Sequence, residues 1–320
     1  MKIILLTGGS YSIPAIHYLS GQKTLHSVAI PGPPNKNNIP IELNANHLNI
    51  PFKRFLKEEF KTGLKTWLNE AKPDVVFVFG CGYKLPSELF DIPKFGFHNI
   101  HFSLLPAYRG NSPVFWQIKN GETASGITIH QMTDKYDSGP MLAQQQVPVS
   151  PGETLGLLYG RLGAETVALI DKAIEKLNNT GNSLLLPQNE DMASYISRPV
   201  ANDLKIDWET QSAAEIENIV NATNPDYGGA ITLFRGQPLR ILEVNQVQMN
   251  NPAGFAPGSI VHADVNYGVI AACKNGQFLR INVAQLAEGI FSSFKLAALG
   301  INAGERFENA ANLPGVAVDA

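Results

Sequence analysis

Little in the charge or cysteine content of this sequence advertises a specialised environment. Only 17% of its 320 residues are charged, with 25 Lys and Arg against 28 Asp and Glu. The net charge of −3 gives no overall pull toward nucleic acid or an acidic membrane surface. Cysteine occurs twice, at Cys81 and Cys273, far apart and in no metal-ligand spacing. That excludes a disulfide framework and suits free thiols in a reducing compartment. No apolar stretch approaches the ~18–20 residues of a membrane span. The opening MKIILLTGGS has an apolar run too short for a secretory core. A cytoplasmic protein with no membrane partner is expected. Thr7-Gly8-Gly9-Ser10 follows a strand-like run, but the dinucleotide fingerprint G-x-G-x-x-G is missing.

What is present divides into two textures. The first half alternates strand and helix signals: Ile3 to Leu6, a helix over Ile13 to Leu19, a strand over Ser27 to Ile30, helix formers over Glu58 to Asn69 and the run DVVFVF over Asp74 to Phe79. A continuous β-branched and aromatic run suits a strand covered on both faces. Further strands are expected at Gly96 to Phe102, Gly126 to Met132 and Met141 to Val149, with a helix over Thr154 to Leu177. This rhythm predicts an α/β domain with a doubly wound, mostly parallel, Rossmann-like sheet and ligands at the carboxyl ends of its strands. After about Asn178 the periodicity is lost, and 179–205 reads as a linker. Beyond it, one short helix (Ala213 to Ala222) precedes β-rich runs at Ala230 to Phe234, Leu239 to Val247, Gly258 to Val261, Val269 to Cys273 and Leu279 to Val283. The expectation is a first domain over 1–178 and a smaller, barrel-like (OB-like) β domain over 206–320.

The stretch HNIHFSLLPAYRGNSP, residues 98–113, gathers polar groups where a strand ends. With period 2 along a strand, Asn99 and His101 share one face while His98 and Ile100 take the other. Leu104-Leu105-Pro106 stops the ladder, and Arg109-Gly110 turns the chain into a helix over Pro113 to Lys119. An amide and an imidazole thus arrive side by side at a carboxyl end, where this fold class opens its crevice. Downstream, GITIHQMTDKYDSGPML (126–142) carries Asp137 on a loop between two strands. If those strands neighbour the first, Asp137 meets the pair. A carboxylate beside an imidazole favours its charged form and fixes its tautomer. His98 and His101 face opposite ways, so no metal site is expected; His130 reads first as a structural strand residue, close enough in sequence that a part in catalysis stays open.

Asn99-Ile100-His101, Ser103-Leu104-Leu105-Pro106, Arg109-Gly110, Gly126-Ile127-Thr128 and Asp137-Ser138-Gly139, in this order and spacing, resemble the 10-formyltetrahydrofolate-dependent formyltransferases. The second domain is similar to that of methionyl-tRNA formyltransferases through Ile206-Asp207-Trp208, Asn224-Pro225, Gly236-Gln237-Pro238 and Pro257-Gly258. The resemblance implies that Asn99, His101 and Asp137 are catalytic and that 10-formyltetrahydrofolate is the formyl donor, without a metal. An amine attacks the formyl carbonyl. Asn99 donates to the developing oxyanion, a role worth ~10²–10³ in rate. His101 moves the amine proton or bonds the oxyanion, and Asp137 orients His101. The resemblance also implies a folate site built from Phe79, Gly80, Cys81, Gly82, Tyr83, Leu85 and Pro86, from Ser103, Leu104, Leu105 and Pro106, and from Thr133, Asp134, Lys135 and Tyr136. Cys81 stands where the family commonly has tyrosine. The β-rich domain would serve the acceptor.

The acceptor amine is the more open question. Methionyl-tRNA formyltransferases insert a basic loop after the second strand, whereas residues 31–44, PGPPNKNNIPIELN, hold one base, Lys36. From Ile206 onward there are 6 Lys and Arg against 11 Asp and Glu, a poor surface for a polyanion. Asn224-Pro225-Asp226-Tyr227-Gly228 replaces the usual Asn-Pro-Trp-Pro-Gly. These departures favour a small amine such as an amino-sugar nucleotide, with methionyl-tRNA as the alternative. A formyltetrahydrofolate hydrolase or a non-catalytic folate- or tRNA-binding module fits less well, because neither explains all three polar residues together with the second domain.

Overall fold

Hydrophobic runs that alternate with helices fold here into a seven-stranded sheet. The computed structural model describes residues 1–250 and 254–310; residues 311–320 of the expected second domain lie outside it. Its strands are β1 (Ile3–Thr7), β2 (Leu25–Pro31), β3 (Phe52–Phe55), β4 (Val75–Phe79), β5 (Phe97–His101), β7 (Ala124–Gln131) and β8 (Met141–Pro148); β6 (Arg109–Gly110) pairs elsewhere, with β9 (Tyr195–Ile196). The order is β3-β2-β1-β4-β5-β7-β8. The first five strands are parallel, and β7 and β8 join antiparallel. The order reverses between β1 and β4, and at that switch point the loops after the two strands meet: the Gly8 amide donates to the Phe79 carbonyl at 3.3 Å.

All five residues of β4 are buried, as an unbroken apolar strand between two covered faces must be. Helix α3 (Phe60–Ala71; the earlier helices are α1, Ile13–Gly21, and α2, Ile39–His47) lays Phe60, Leu64, Leu68 and Ala71 against Ile4, Leu6, Val76 and Val78. Each fully buried Leu there contributes about 1.5–3 kcal/mol. Two further helices are α4 (Pro113–Lys119) and α5 (Leu155–Thr180).

The described chain divides into two compact units, one of residues 1–113, 124–148 and 159–196, the other of 114–123, 149–158 and the described residues from 197 onward. The division is discontinuous, unlike the consecutive segments expected from sequence. Residues 179–196, read as linker, belong to the first unit and form β9 and a 3₁₀ turn over Glu190–Met192.

The second unit holds a helix α6 (Ala213–Thr223) and one antiparallel sheet of β10 (Ala230–Phe234), β11 (Gln237–Val247), β12 (Ile260–Asp264), β13 (Gly268–Ala272), β14 (Phe278–Leu286) and β16 (Phe307–Glu308) in the order β12-β13-β14-β11-β10-β16; β15 (Gly289–Ser292) pairs with β14, and a short helix α7 (Ser293–Ala298) follows it. Ser212 and Glu215 form a reciprocal capping box at the start of α6, which satisfies two otherwise orphaned backbone donors. Trp208 is fully buried, stacked on Phe307 with ring centroids 5.5 Å apart, and donates to Thr232 Oγ1 at 2.9 Å.

Candidate active site

The carboxyl end of β5 delivers Asn99 and His101 on one face, into a cavity of about 920 Å³ that lies wholly within the first unit. His98 takes the other face and is fully buried. The antiparallel register pairs Asn99 with His130 of β7, so His130 joins the cluster from the neighbouring strand. Asp137 enters from the β7–β8 loop in a left-handed backbone conformation, φ +49°.

These four side chains form one polar cluster. Asp137 Oδ1 accepts from Asn99 Nδ2 at 3.1 Å, and Oδ2 accepts from the Gly110 amide at 2.9 Å. His101 Nδ1 lies 3.7 Å from Asp137 Oδ2, and His130 Nε2 lies 3.4 Å from Oδ1. His101 Nε2 is 2.8 Å from the Tyr108 carbonyl. A carbonyl only accepts, so Nε2 carries the proton and Nδ1 of the neutral ring is bare. By the same argument His130 Nδ1 donates to the Gln131 carbonyl at 3.1 Å, and its Nε2 lies 3.3 Å from Asn99 Nδ2.

Charge follows from burial and neighbours. Burial pushes the His101 pKa below the usual imidazole range, opposed by the Asp137 charge and the Tyr108 hydrogen bond. Burial alone would raise Asp137, yet the two imidazoles and the Gly110 N–H overcome it and hold the carboxyl well below the usual range. Burial thus favours the neutral form of His101, while the neighbours of Asp137 favour its ionised form. The bare Nδ1 of this cavity-lining ring, 3.7 Å from the carboxylate, can accept a proton, and Asp137 then keeps the resulting cation in place.

Gly80, Cys81, Gly82, Tyr83, Leu85 and Pro86 line the cavity, as do Thr133, Asp134, Lys135 and Tyr136. Phe79 does not: it is buried beneath, packed on Tyr11 and Phe102. Ser103, Leu104, Leu105 and Pro106 are also outside the lining. The Ser103 hydroxyl donates to the Ala107 carbonyl at 2.7 Å and shapes a turn that holds a cis Leu105–Pro106 bond. Cys81 donates to the Tyr83 carbonyl, and burial pushes its thiol up to about 12, which disfavours the thiolate. Among the described residues, no group of three His, Cys, Asp or Glu is placed to hold a metal ion.

Asn99, expected at the oxyanion, is tied into the cluster. Asn99 Nδ2 donates to Asp137 Oδ1 at 3.1 Å and lies 3.3 Å from His130 Nε2. His130, whose part the sequence leaves open, sits inside the cluster. Only the long-range β5–β7 register reveals it.

A formyl transferase model matches residues 2–174, and a model of the formyl transferase C-terminal domain matches 200–295. The chain belongs to the formyl transferase family. A methionyl-tRNA formyltransferase of Aromatoleum aromaticum is 36% identical over 250 residues, which cover 76% of this chain and 75% of that protein. Among solved structures, HypX from Aquifex aeolicus in complex with tetrahydrofolic acid shares the fold with a TM-score of 0.64 at 17% identity, over 94% of this chain and 47% of HypX, so the chain spans about half of HypX. An N-formyltransferase from Helicobacter canadensis, in complex with folinic acid and dTDP-3-aminofucose, gives a TM-score of 0.64 at 19% identity over 87% of this chain and 98% of that one. As a member of this family the chain is an enzyme, a formyltransferase. No helix among the described residues is long and apolar enough to cross a membrane.

Proposed function

We propose that this formyltransferase takes its formyl group from 10-formyltetrahydrofolate and places it on the α-amine of methionyl-tRNA. The observation that carries the transfer chemistry is the convergence of Asn99, His101 and Asp137 at one wall of the cavity. The cavity suits such a donor. Val78, Leu85, Ile100 and Met132 offer apolar surface for a flat heteroaromatic ring, and Lys84 and Lys135 offer cations for an anionic tail. When bound, the donor supplies the formyl carbon and leaves as tetrahydrofolate. His101 Nδ1 takes the proton that the amine loses as its nitrogen bonds that carbon, then returns it to the departing nitrogen. Asp137 holds the imidazolium between those events. Asn99, which gives one N–H to Asp137, turns the other toward the developing oxyanion.

The acceptor reading rests on the relatives, named methionyl-tRNA formyltransferases at 36% and 30% identity, and on the match of both domains. It departs from the sequence-based preference for a small amine. That second reading keeps one specific support, the excess of acids over bases from residue 206 onward (11 against 6). An assay with 10-formyltetrahydrofolate at near-physiological salt, offering charged initiator methionyl-tRNA or a panel of amino-sugar nucleotides, separates the two. Formylation of the tRNA, weakening steeply as salt rises, is expected. Turnover of an amino-sugar nucleotide alone, insensitive to salt, would replace the proposal with the second reading.

A further inference from the structure

We propose that Gln188 is a positioning residue for Asp137: its amide clamps the turn that carries the carboxylate and ties that turn to the buried Arg109. Gln188 lies between the two matched family segments, in a stretch without periodicity. The inference deepens the reading above, since it rests on Asp137 serving the site.

The geometry assigns the Gln188 amide without ambiguity. Its Oε1 faces Arg109 Nε at 3.1 Å and Nη2 at 2.8 Å; its Nε2 faces the Asp137 carbonyl at 2.8 Å and the Gly139 carbonyl at 2.7 Å. A guanidinium only donates and a carbonyl only accepts, so all four hydrogen-bonding positions of the glutamine are engaged in one orientation. Arg109 is equally saturated. Its remaining N–H groups reach Glu190 Oε1 and Oε2, at 2.7 and 2.9 Å, and the Tyr195 hydroxyl at 2.7 Å. The arginine is fully buried.

One strap thus holds Asp137 from both ends. Gln188 fixes its backbone carbonyl in the left-handed conformation that a non-glycine residue adopts at a cost of about 1–2 kcal/mol. On the other side, the backbone of Arg109 receives the strap through β6–β9 pairing, and the next amide, Gly110 N–H, meets the carboxylate at 2.9 Å. The titratable groups that face this carboxylate are His101 and His130. A turn released from Gln188 would let the carboxylate drift from Gly110 and from both imidazoles. A displacement of about 1 Å at a catalytic group costs up to ~10²-fold in rate.

The test uses the full-length chain and the variants Gln188→Met, which removes all four bonds, and Gln188→Glu, which keeps an acceptor for Arg109 but sets oxygen against two carbonyls. The first readout is the Gly110 amide by NMR at neutral pH. Its exchange should quicken roughly tenfold or more and its proton resonance should lose the downfield shift of a carboxylate-bound amide, while β4 amides stay as protected as before. The second is calorimetry with 10-formyltetrahydrofolate together with turnover on the two acceptors above: donor affinity within about twofold, turnover reduced ~10–100-fold. A Gly110 amide unchanged in both variants, or one that changes only together with the β4 amides, overturns the positioning role. Asp137→Asn is measured in parallel. Should it retain turnover, the reading of the site fails by that result, whereas a Gln188 failure shows in the Gly110 amide alone.

Discussion

The Gly110 amide donates to Asp137 Oδ2 at 2.9 Å while the α-carbon of Gly110 is pressed against the carbonyl of Ile196. A Cβ at this position would lie 2.2 Å from that oxygen, and Gly110 has φ +113°. Both facts require glycine. Gly110→Ala must move either the strap or its own amide away from Asp137. We expect a loss of stability of about 1–3 kcal/mol and a fall in turnover larger than the folded fraction explains. Urea unfolding alongside steady-state kinetics checks this; a variant with wild-type turnover would show that the amide contact is dispensable.

Asp137 and His101 together set a pH dependence whose sign can be worked out. His101 acts as a base when neutral, so activity falls as pH drops through its pKa. Burial places that pKa below the ordinary imidazole value, and the Asp137 charge pulls it partly back up. Asp137→Asn removes the upward pull. The acid limb of the pH–rate profile should therefore move to lower pH even as turnover falls by ~10²–10⁴. An acid limb that moves to higher pH would mean that His101 is not the titrating base.

How much of this was legible in the sequence depended on how local each signal was. β4 reads directly, because an unbroken β-branched and aromatic run has few other homes. Asn99 and His101 read through the period of a strand. Asp137 was reached only through the spacing of its loop and the family resemblance, since an aspartate before Ser-Gly is by itself an ordinary turn. The part of His130 stays open in the sequence because its partnership with Asn99 is a register between strands, 31 residues apart. Helix α2 was missed because it buries only Ile41 and Ala45, too few for a periodic face. The strap at 188–196 was read as linker for a related reason: side-chain bonds to one buried arginine hold it, and those leave no pattern along the chain. Ser103 is a motif residue whose hydroxyl also serves its own turn.

His98 offers a pH-dependent prediction that is separate from catalysis. It is fully buried on the far face of β5, where Nε2–H donates to the Phe95 carbonyl at 3.0 Å and Nδ1 has no hydrogen-bond partner among the described residues. Burial lowers its pKa to about 4, against the Phe95 bond and with a small further push from His130. In the unfolded chain the same ring titrates near ~6.5. Between those values the unfolded state binds the extra proton, so stability must fall as pH drops from about 6.5 toward 4. Across the full window this group alone accounts for a loss on the order of 3 kcal/mol. His98→Phe removes the titration. The Phe95 carbonyl keeps a donor in Asn182 Nδ2 at 3.3 Å, so the variant should lose only about 1 kcal/mol at neutral pH. Urea unfolding at several pH values from 7.5 to about 4.5 should then show the two stability curves converging as pH falls, with the variant the more stable at the acid end. Curves that stay parallel throughout would mean that His98 is already accommodated as a cation in the fold.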